Sequence, residues 1–596
     1  MGQNPNHHSG LMIIYKRIAM RRKLLSGIIL TFLITTMLAQ GVRTVPGRVV
    51  ERVHIATDRD AYVAGEPVWI SLYCFDISKG QGKLSTFSSV AYIELQNVQG
   101  TVITDKIAVN NGRGAGRIEL PPVLATGNYR IIAYTGQMLN EVSPAFSQKL
   151  ISVYNTLTSE RVPDNVVVGK KDSTLRGEFE KKTSFDGVAK GLDVRIYGNN
   201  TVIPSKSKIP ILITNNGSSD IDVHISIVRN DSLPAPAGTG LLAFLKGLDY
   251  NPGSFSFANG PTADYEGEVI KVKVTPEKKE PLTDKVICLS AAGGLSDIYT
   301  TLIDSNGRAT FFTNSVFGDR ELILDVPEAD TNITLTYDMT DHFVKPSPGP
   351  LPQLVLQRNI GETLRRRSQE MQVWRRFVAD TLFEKIKLKK DPLLTLNYKV
   401  YKLDDYTRFP VMKEVVSEYI SELRFRKVGE KTYLQMILSD QLSNVSISKY
   451  NTLVLLDGIP VFDHSKILNY DPLKVRSITV YNGEFLIGYL SFNGIASFET
   501  YKRDYSGLKF NRNTRILDFK GVQFPSRFIG KEVRDGEKIP DMRSVIYWDP
   551  QVSIRKGESM DLSLITPNYE GKFIITIEGI DSDGRGVIYK KEFSVR

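Results

Sequence analysis

Most of the chain alternates apolar and polar residues with a period of two, in short runs cut by Gly, Asn, Asp and Pro, the mark of antiparallel β-structure. Val68-Trp-Ile-Ser-Leu-Tyr-Cys74, Val90-Ala-Tyr-Ile-Glu-Leu95 and Tyr129-Arg-Ile-Ile-Ala-Tyr134 predict a first sandwich over 46–155. Residues 156–190 are polar and read as a linker. Ile209–Ile213 and Ile221–Ile227, joined through Asn215-Asn-Gly217, predict a hairpin of a second sandwich over 191–264. In it Ile221, Val223, Ile225 and Ile227 face the core and His224 faces away. Pro and Gly interrupt the pattern over 233–264, and strands resume at Val269–Val274, Lys285–Leu289, Tyr299–Ile303 and Arg308–Phe312, a third sandwich over 265–345.

The period then changes. Ile360, Leu364, Met371, Trp374, Val378 and Leu382 recur at helical spacing, which predicts a helix from Gly361 to Lys387 with basic residues on its opposite side, inside a connector over 346–404. Pro410 opens a second amphipathic helix with Val411, Val415, Tyr419, Ile420 and Leu423 on one side. Leu453–Leu456, Ser477–Tyr481 and Ile495–Thr500 are strands, with Asp457-Gly458, Asp471-Pro472 and Asn493-Gly494 as breaks, giving a small α+β unit over 405–505. After a connector over 506–546, residues 547–596 return to β-structure, with Met560–Ile565, Lys572–Glu578 and Glu592–Val595 as strands.

Four stretches resemble known modules. Asp457, Gly458 and Pro460, then Val475, Ser477, Ile478 and Val480, then Asn493, Gly494, Ile495 and Thr500 resemble, in that order, the plug domain of TonB-dependent outer-membrane receptors. Only 96 residues follow Thr500, too few for the barrel of about 22 strands, at roughly 10 residues each, that such a plug closes. Asp58, Tyr62, Gly65, Glu66 and Trp69, with Gly127-Asn-Tyr-Arg-Ile131, resemble the macroglobulin-like sandwich of α2-macroglobulins and bacterial envelope proteins. Thr301, Asp304, Asn306, Gly307 and Phe311 resemble the carboxypeptidase-regulatory sandwich, which is not itself catalytic. Trp548-Asp-Pro550, Gly571 and Gly579 resemble a C-terminal macroglobulin-type sandwich. The resemblance implies a mainly β, multidomain, exported protein of Gram-negative bacteria: Ig-like, macroglobulin-like antiparallel sandwiches plus one plug-like unit without its barrel.

A chain of 596 residues suits about four domains. Charged residues at 24% and apolar residues at 41% exclude both a disordered and a polytopic membrane chain. Arg21-Arg22-Lys23, an apolar run and a small-residue pair at Ala39 and Gly41 predict a signal peptide over 1–41. Lys16, Arg17, Arg21, Arg22 and Lys23 carry five of the +10 charges, so the remainder stands near +5. The local excess from Arg358 to Lys390 accounts for that, and no nucleic-acid partner is expected.

The histidines after residue 41, His54, His224, His342 and His464, stand apart without metal-ligand spacing, so no metal, cofactor or catalytic residue is expected and the chain reads as a non-enzyme. Asp304-Ser-Asn-Gly307 and Asp581-Ser-Asp-Gly584 read as turns rather than calcium loops, because glycine comes at the fourth position. Cys74 and Cys288 are read as buried free thiols in separate domains, with pairing as the alternative.

Two surfaces are candidates for recognition. The loop Asp457, Gly458, Ile459, Pro460 is either a structural turn or a docking edge. Arg365, Arg366, Arg375 and Arg376 are either a solvated helical face or a site for an anionic partner. The expected function is binding: a protein partner in the outer membrane or periplasm, with the chain membrane-associated rather than membrane-spanning. The alternative is a macroglobulin-like protease inhibitor without the thioester, since neither cysteine lies in a G-C-G-E-Q sequence.

Overall fold

The computed structural model describes residues 49–80, 82–158, 166–168, 191–196, 202–231, 233–249, 255–257, 263–292, 297–347, 349–356, 358–377, 383–386, 398–429, 431–437, 452–528 and 541–596. The predicted signal peptide lies outside them. The protein is mainly β and multidomain, and Val50–Arg596 forms one unit.

The first sandwich is an eight-stranded sheet folded into two layers. The strand Gly100–Asn110 belongs to both: it pairs along most of its length with Val90–Asn97 and at its end with Arg113–Glu119. Val53, Ile70, Leu72 and Cys74 from one layer and Tyr92, Ile93, Ile131 and Ala133 from the other share one core. The Tyr129 hydroxyl donates to the Ala125 carbonyl at 2.8 Å, a corner lock found in β-sandwiches. The residues of the macroglobulin resemblance serve as core and corner here: Asp58 is buried and accepts from the Tyr62 hydroxyl at 2.7 Å and from Trp69 N–H at 3.0 Å. Gly65 takes a φ of +98° at the turn before the strand Pro67–Asp76, where a side chain would be strained.

The second sandwich corrects the expected domain order. Leu192–Ile196 and Lys208–Asn215 pair into a three-stranded sheet whose third strand is Ser559–Ile565. Ile221–Arg229 lies between Val545–Ile554 and Gly571–Asp581 in the facing five-stranded sheet. The C-terminal segment is therefore not a separate sandwich; it completes the second one, around a common core of Ile211, Ile225, Ile575 and Ile577. Neither half buries both faces alone, which is the physical reason for the return.

The third sandwich likewise borrows a strand from the expected connector, Arg515–Lys520, which pairs with Asp319–Asp325. Of the expected linker, Val166–Val168 pairs in parallel with Leu354–Leu356; 159–165 and 169–190 lie outside the described residues. The charged helix runs Gly361–Phe377 rather than to Lys387. Phe383–Lys385 is instead a strand paired with Ser526–Phe528, a case of long-range pairing overriding local period. The second helix is Met412–Tyr419, and Leu423 opens the strand Leu423–Val428 instead of closing the helix.

The α+β unit is a five-stranded mixed sheet in the order Tyr398–Lys402, Val475–Ile487, Leu490–Thr500, Leu453–Leu456, Ile459–Pro460. One face packs Val454, Leu456, Ile478 and Phe498 against Met412, Val415 and Val416 of the second helix. The other packs Leu453, Leu455 and Ile495 against Cys288 and Ile298 of the third sandwich. Strands crossed by helices are what the sequence predicts here. Cys74 and Cys288 are buried free thiols.

Candidate docking surface and the charged clamp

Asp457 and Gly458 turn the chain with φ of 51° and 86°, positive at both central positions as a tight hairpin requires. The Asp457 carboxylate accepts from Thr500 N–H and Thr500 Oγ1, each at 2.7 Å, and from Tyr505 N–H at 2.8 Å. Asp457, Gly458, Ile459 and Pro460 are all buried. This corrects the docking-edge reading of the loop: its side chains are spent inside the unit, and Pro460 caps the last strand of the sheet.

The opposite edge differs. Among the described residues no strand pairs with the outer side of Tyr398–Lys402. Tyr401 points into the core, whereas Tyr398 is 58% and Val400 44% exposed. Tyr398 and Val400 lie opposite Tyr481 and Thr479 on the neighbouring strand, and the rings of Tyr398 and Tyr481 are 5.7 Å apart. Tyr398, Val400 and Tyr481 make an apolar strip beside backbone groups that no described strand pairs, a template for strand addition.

The charged helix divides the arginines by face. Arg365, Arg375 and Arg376 are exposed, and Arg366 is half-buried. Arg375 donates to the Gly65 carbonyl at 3.3 Å, Arg376 lies over the Phe377 ring, and Arg366 stands 4.0 Å from Glu370. Arg367, between Arg366 and Ser368, is 1% exposed. Its Nε and Nη2 donate to Glu66 at 3.2 and 2.6 Å, and its Nη1 donates to Asp231. Glu370 is paired with Arg229 of the second sandwich. A single helix thus ties the first sandwich, through Glu66, to the second, through Arg229 and the adjoining Asp231. Burial raises Asp231, but Arg367, Arg59 and the Leu233 N–H together outweigh it and hold the carboxylate below its ordinary range. The cavity beside this clamp measures about 20 Å³, roughly one water's worth.

Reading the helical period missed Arg367, although it shares a side with Leu364 and Met371 at spacings of three and four. An arginine on the apolar stripe was the available signal.

A second polar cluster joins the two sandwiches. His224 is on the outer face of its strand as expected, yet only 1% exposed, because the first sandwich covers that face. The Tyr73 hydroxyl donates to the Glu578 carbonyl at 3.0 Å and lies 3.4 Å from His224 Nδ1. His54 Nε2 is 3.1 Å from the Glu578 carboxylate, and Arg113 donates to the Val223 carbonyl at 2.7 Å. Burial pushes His224 down to about 4. Burial opposes ionisation of Glu578, but His54, His224 and Lys149 hold it down to about 2.

The unfolded chain takes up a proton on His224 through 6.5, the folded chain only near 4, so the folded state loses ground as pH falls across that window. The variant His224→Phe removes this term. Its stability deficit relative to the native chain is expected to shrink by about 3 kcal/mol between pH 6.5 and 4, measured by urea unfolding at each pH; a constant deficit would contradict the buried neutral imidazole.

Among the described residues no group of three His, Cys, Asp or Glu side chains is placed to hold a metal ion, and no helix is long and apolar enough to cross a membrane. Asp304 Oδ1 accepts from the backbone N–H of Asn306 and Arg308, and Asp581 Oδ1 from those of Asp583 and Arg585. Both aspartates cap their own turns.

No family model and no curated protein matches the chain. Solved structures similar to it include an α2-macroglobulin of Salmonella reacted with methylamine, at 9% identity and TM-score 0.15, covering 93% of this chain and 24% of that one. An Escherichia coli α2-macroglobulin activated by porcine elastase follows at 7% identity and TM-score 0.23, covering 92% and 44%. The Yersinia pseudotuberculosis adhesin InvE is similar at 9% identity and TM-score 0.13, covering 78% and 97%. The chain spans less than half the length of these macroglobulins. With TM-scores this low, no function is carried across.

Proposed function

We propose that the protein is a non-catalytic binding or scaffold protein of the cell envelope, exported by its N-terminal segment, which docks on an outer-membrane component through its plug-like α+β unit. The observation that carries this reading is the open edge at Tyr398–Lys402 with its apolar strip of Tyr398 and Val400. An extended segment of a protein partner would pair with the backbone there and seat side chains on the strip. The clamp between the first and second sandwiches supports a scaffold: charged groups that chemistry could use are consumed in joining them.

Pull-down from detergent-solubilised envelopes tests the proposal. The native chain is expected to recover an outer-membrane partner, and the double variant Tyr398→Glu, Val400→Glu to lose it while keeping its fold. Recovery of the native chain only as a free monomer would contradict docking.

A second reading, a macroglobulin-like protease inhibitor without thioester, draws on the exposed residues 237–240 between the buried Leu233 and Leu241. Cleavage there accompanied by loss of protease activity would favour it. If the protein is a docking scaffold, any protease that cuts this segment remains active.

A further inference from the structure

A second feature, independent of the open edge, lies where the α+β unit meets the third sandwich. A cavity of about 320 Å³ opens there, within the size range of small-molecule sites. Leu453 and Val461 line its depth, and Phe462, Phe492, Tyr433 and Tyr489 contribute aromatic walls. The wall is built before any ligand arrives. The hairpin between Val475–Ile487 and Leu490–Thr500 is pinned to the third sandwich, where Thr300 Oγ1 donates to the Ile487 carbonyl at 2.8 Å and accepts from Tyr489 N–H at 2.9 Å. Gly488 lets the two approach: a Cβ there would stand 2.3 Å from Thr300 Oγ1.

One polar group sets the chemistry. His464 lines the cavity and is 6% exposed. Its Nδ1 accepts from Leu434 N–H at 2.9 Å, so the neutral ring carries its proton on Nε2. Among the described residues no acceptor meets that proton. Thr452, also in the lining, is already satisfied: its Oγ1 accepts from Met436 N–H at 2.8 Å and donates to the Asn493 carbonyl at 3.2 Å. Burial pushes His464 down to about 4, so near neutral pH the ring offers a neutral donor and no positive charge. Glu328, exposed in the lining, adds a negative one.

We propose that this cavity binds a small, uncharged aromatic molecule bearing a carbonyl-type acceptor, with the rings of the wall packing its body and His464 Nε2–H donating to its oxygen. Aromatic walls favour a flat apolar body, a ring N–H that no protein acceptor meets favours an acceptor, and a lining that carries Glu328 and neither Lys nor Arg disfavours an anion.

Ligand-observed NMR titration of the full chain with acetophenone, toluene and benzoate tests this at pH 7. Acetophenone is expected to bind about tenfold more tightly than toluene, the worth of one buried hydrogen bond, and benzoate more weakly than acetophenone. In His464→Asn the amide oxygen can replace Nδ1 toward Leu434 while the Nε2 donor is lost, so acetophenone is expected to fall to the affinity of toluene. Ser491→Trp, at an exposed position of the lining, should block both probes and leaves His464 untouched, which keeps the test decisive if His464→Asn does not fold. Equal binding of acetophenone and toluene by the native chain, preferred binding of benzoate, or undiminished binding in Ser491→Trp would overturn the proposal.

Discussion

Alanine in place of Arg367 is expected to lower the free energy of unfolding by about 3–5 kcal/mol, the usual cost of removing one partner from a buried ion pair. The guanidinium is 1% exposed and faces two carboxylates, Glu66 and Asp231. Without it both keep their desolvation penalty and lose their nearest counter-charge, leaving Arg59 at 3.7 Å from Glu66. The forked geometry also matters: Nε and Nη2 reach the two oxygens of Glu66 together, so Arg367→Lys is expected to recover only part of the loss. The neighbouring Arg366 supplies the control. Its side chain is 42% exposed and 4.0 Å from Glu370, so Arg366→Ala should cost less than about 1 kcal/mol. Urea unfolding of the three variants checks the ordering; equal midpoints for Arg366→Ala and Arg367→Ala would contradict the clamp.

The second large effect is at Asp457, where alanine is expected to cost about 3 kcal/mol. Three donors lose their common acceptor, and alanine must hold a φ of 51°, which costs a residue with a Cβ roughly 1–2 kcal/mol. Asparagine tolerates that conformation and keeps one acceptor oxygen, so Asp457→Asn should lose less than half as much. Thermal and urea unfolding separate the two substitutions. Had the loop been a docking edge, both would spare stability and abolish partner recovery instead.

The sequence made turns and strand faces legible, because these depend on neighbours a few residues away. Asp457-Gly458, Asp304-Ser-Asn-Gly307 and Asp581-Ser-Asp-Gly584 are turns in the structure, as glycine's freedom at positive φ requires at Gly458, Gly307 and Gly584. Alternation places His224 on the correct face, opposite Ile225 and Ile227. What covers that face was not legible: Tyr73 and Glu578 meet it from strands far away in the sequence. The same limit hid the partner of Ile221–Arg229. Its neighbours come from Val545–Ile554 and Gly571–Asp581, and alternation marks a strand as needing a second sheet without saying which part of the chain supplies it.

The candidate site was displaced for a related reason. The motif residues Asp457 to Pro460 read as a loop in the sequence, yet the Asp457 carboxylate is satisfied within the unit. The exposed edge Tyr398–Lys402 sits in a stretch where composition showed only a basic connector. Its pattern, Tyr398 and Val400 outward and Tyr401 inward, is short, and only its place at the end of a sheet gives it meaning.

Site-specific photo-crosslinking in intact cells tests the docking edge most directly. A photoreactive residue at Val400, on the open strand, is expected to yield an adduct with an outer-membrane protein, and one at Val123, 73% exposed on the first sandwich, to yield none. No adduct from Val400, or the same adducts from both positions, would contradict the account.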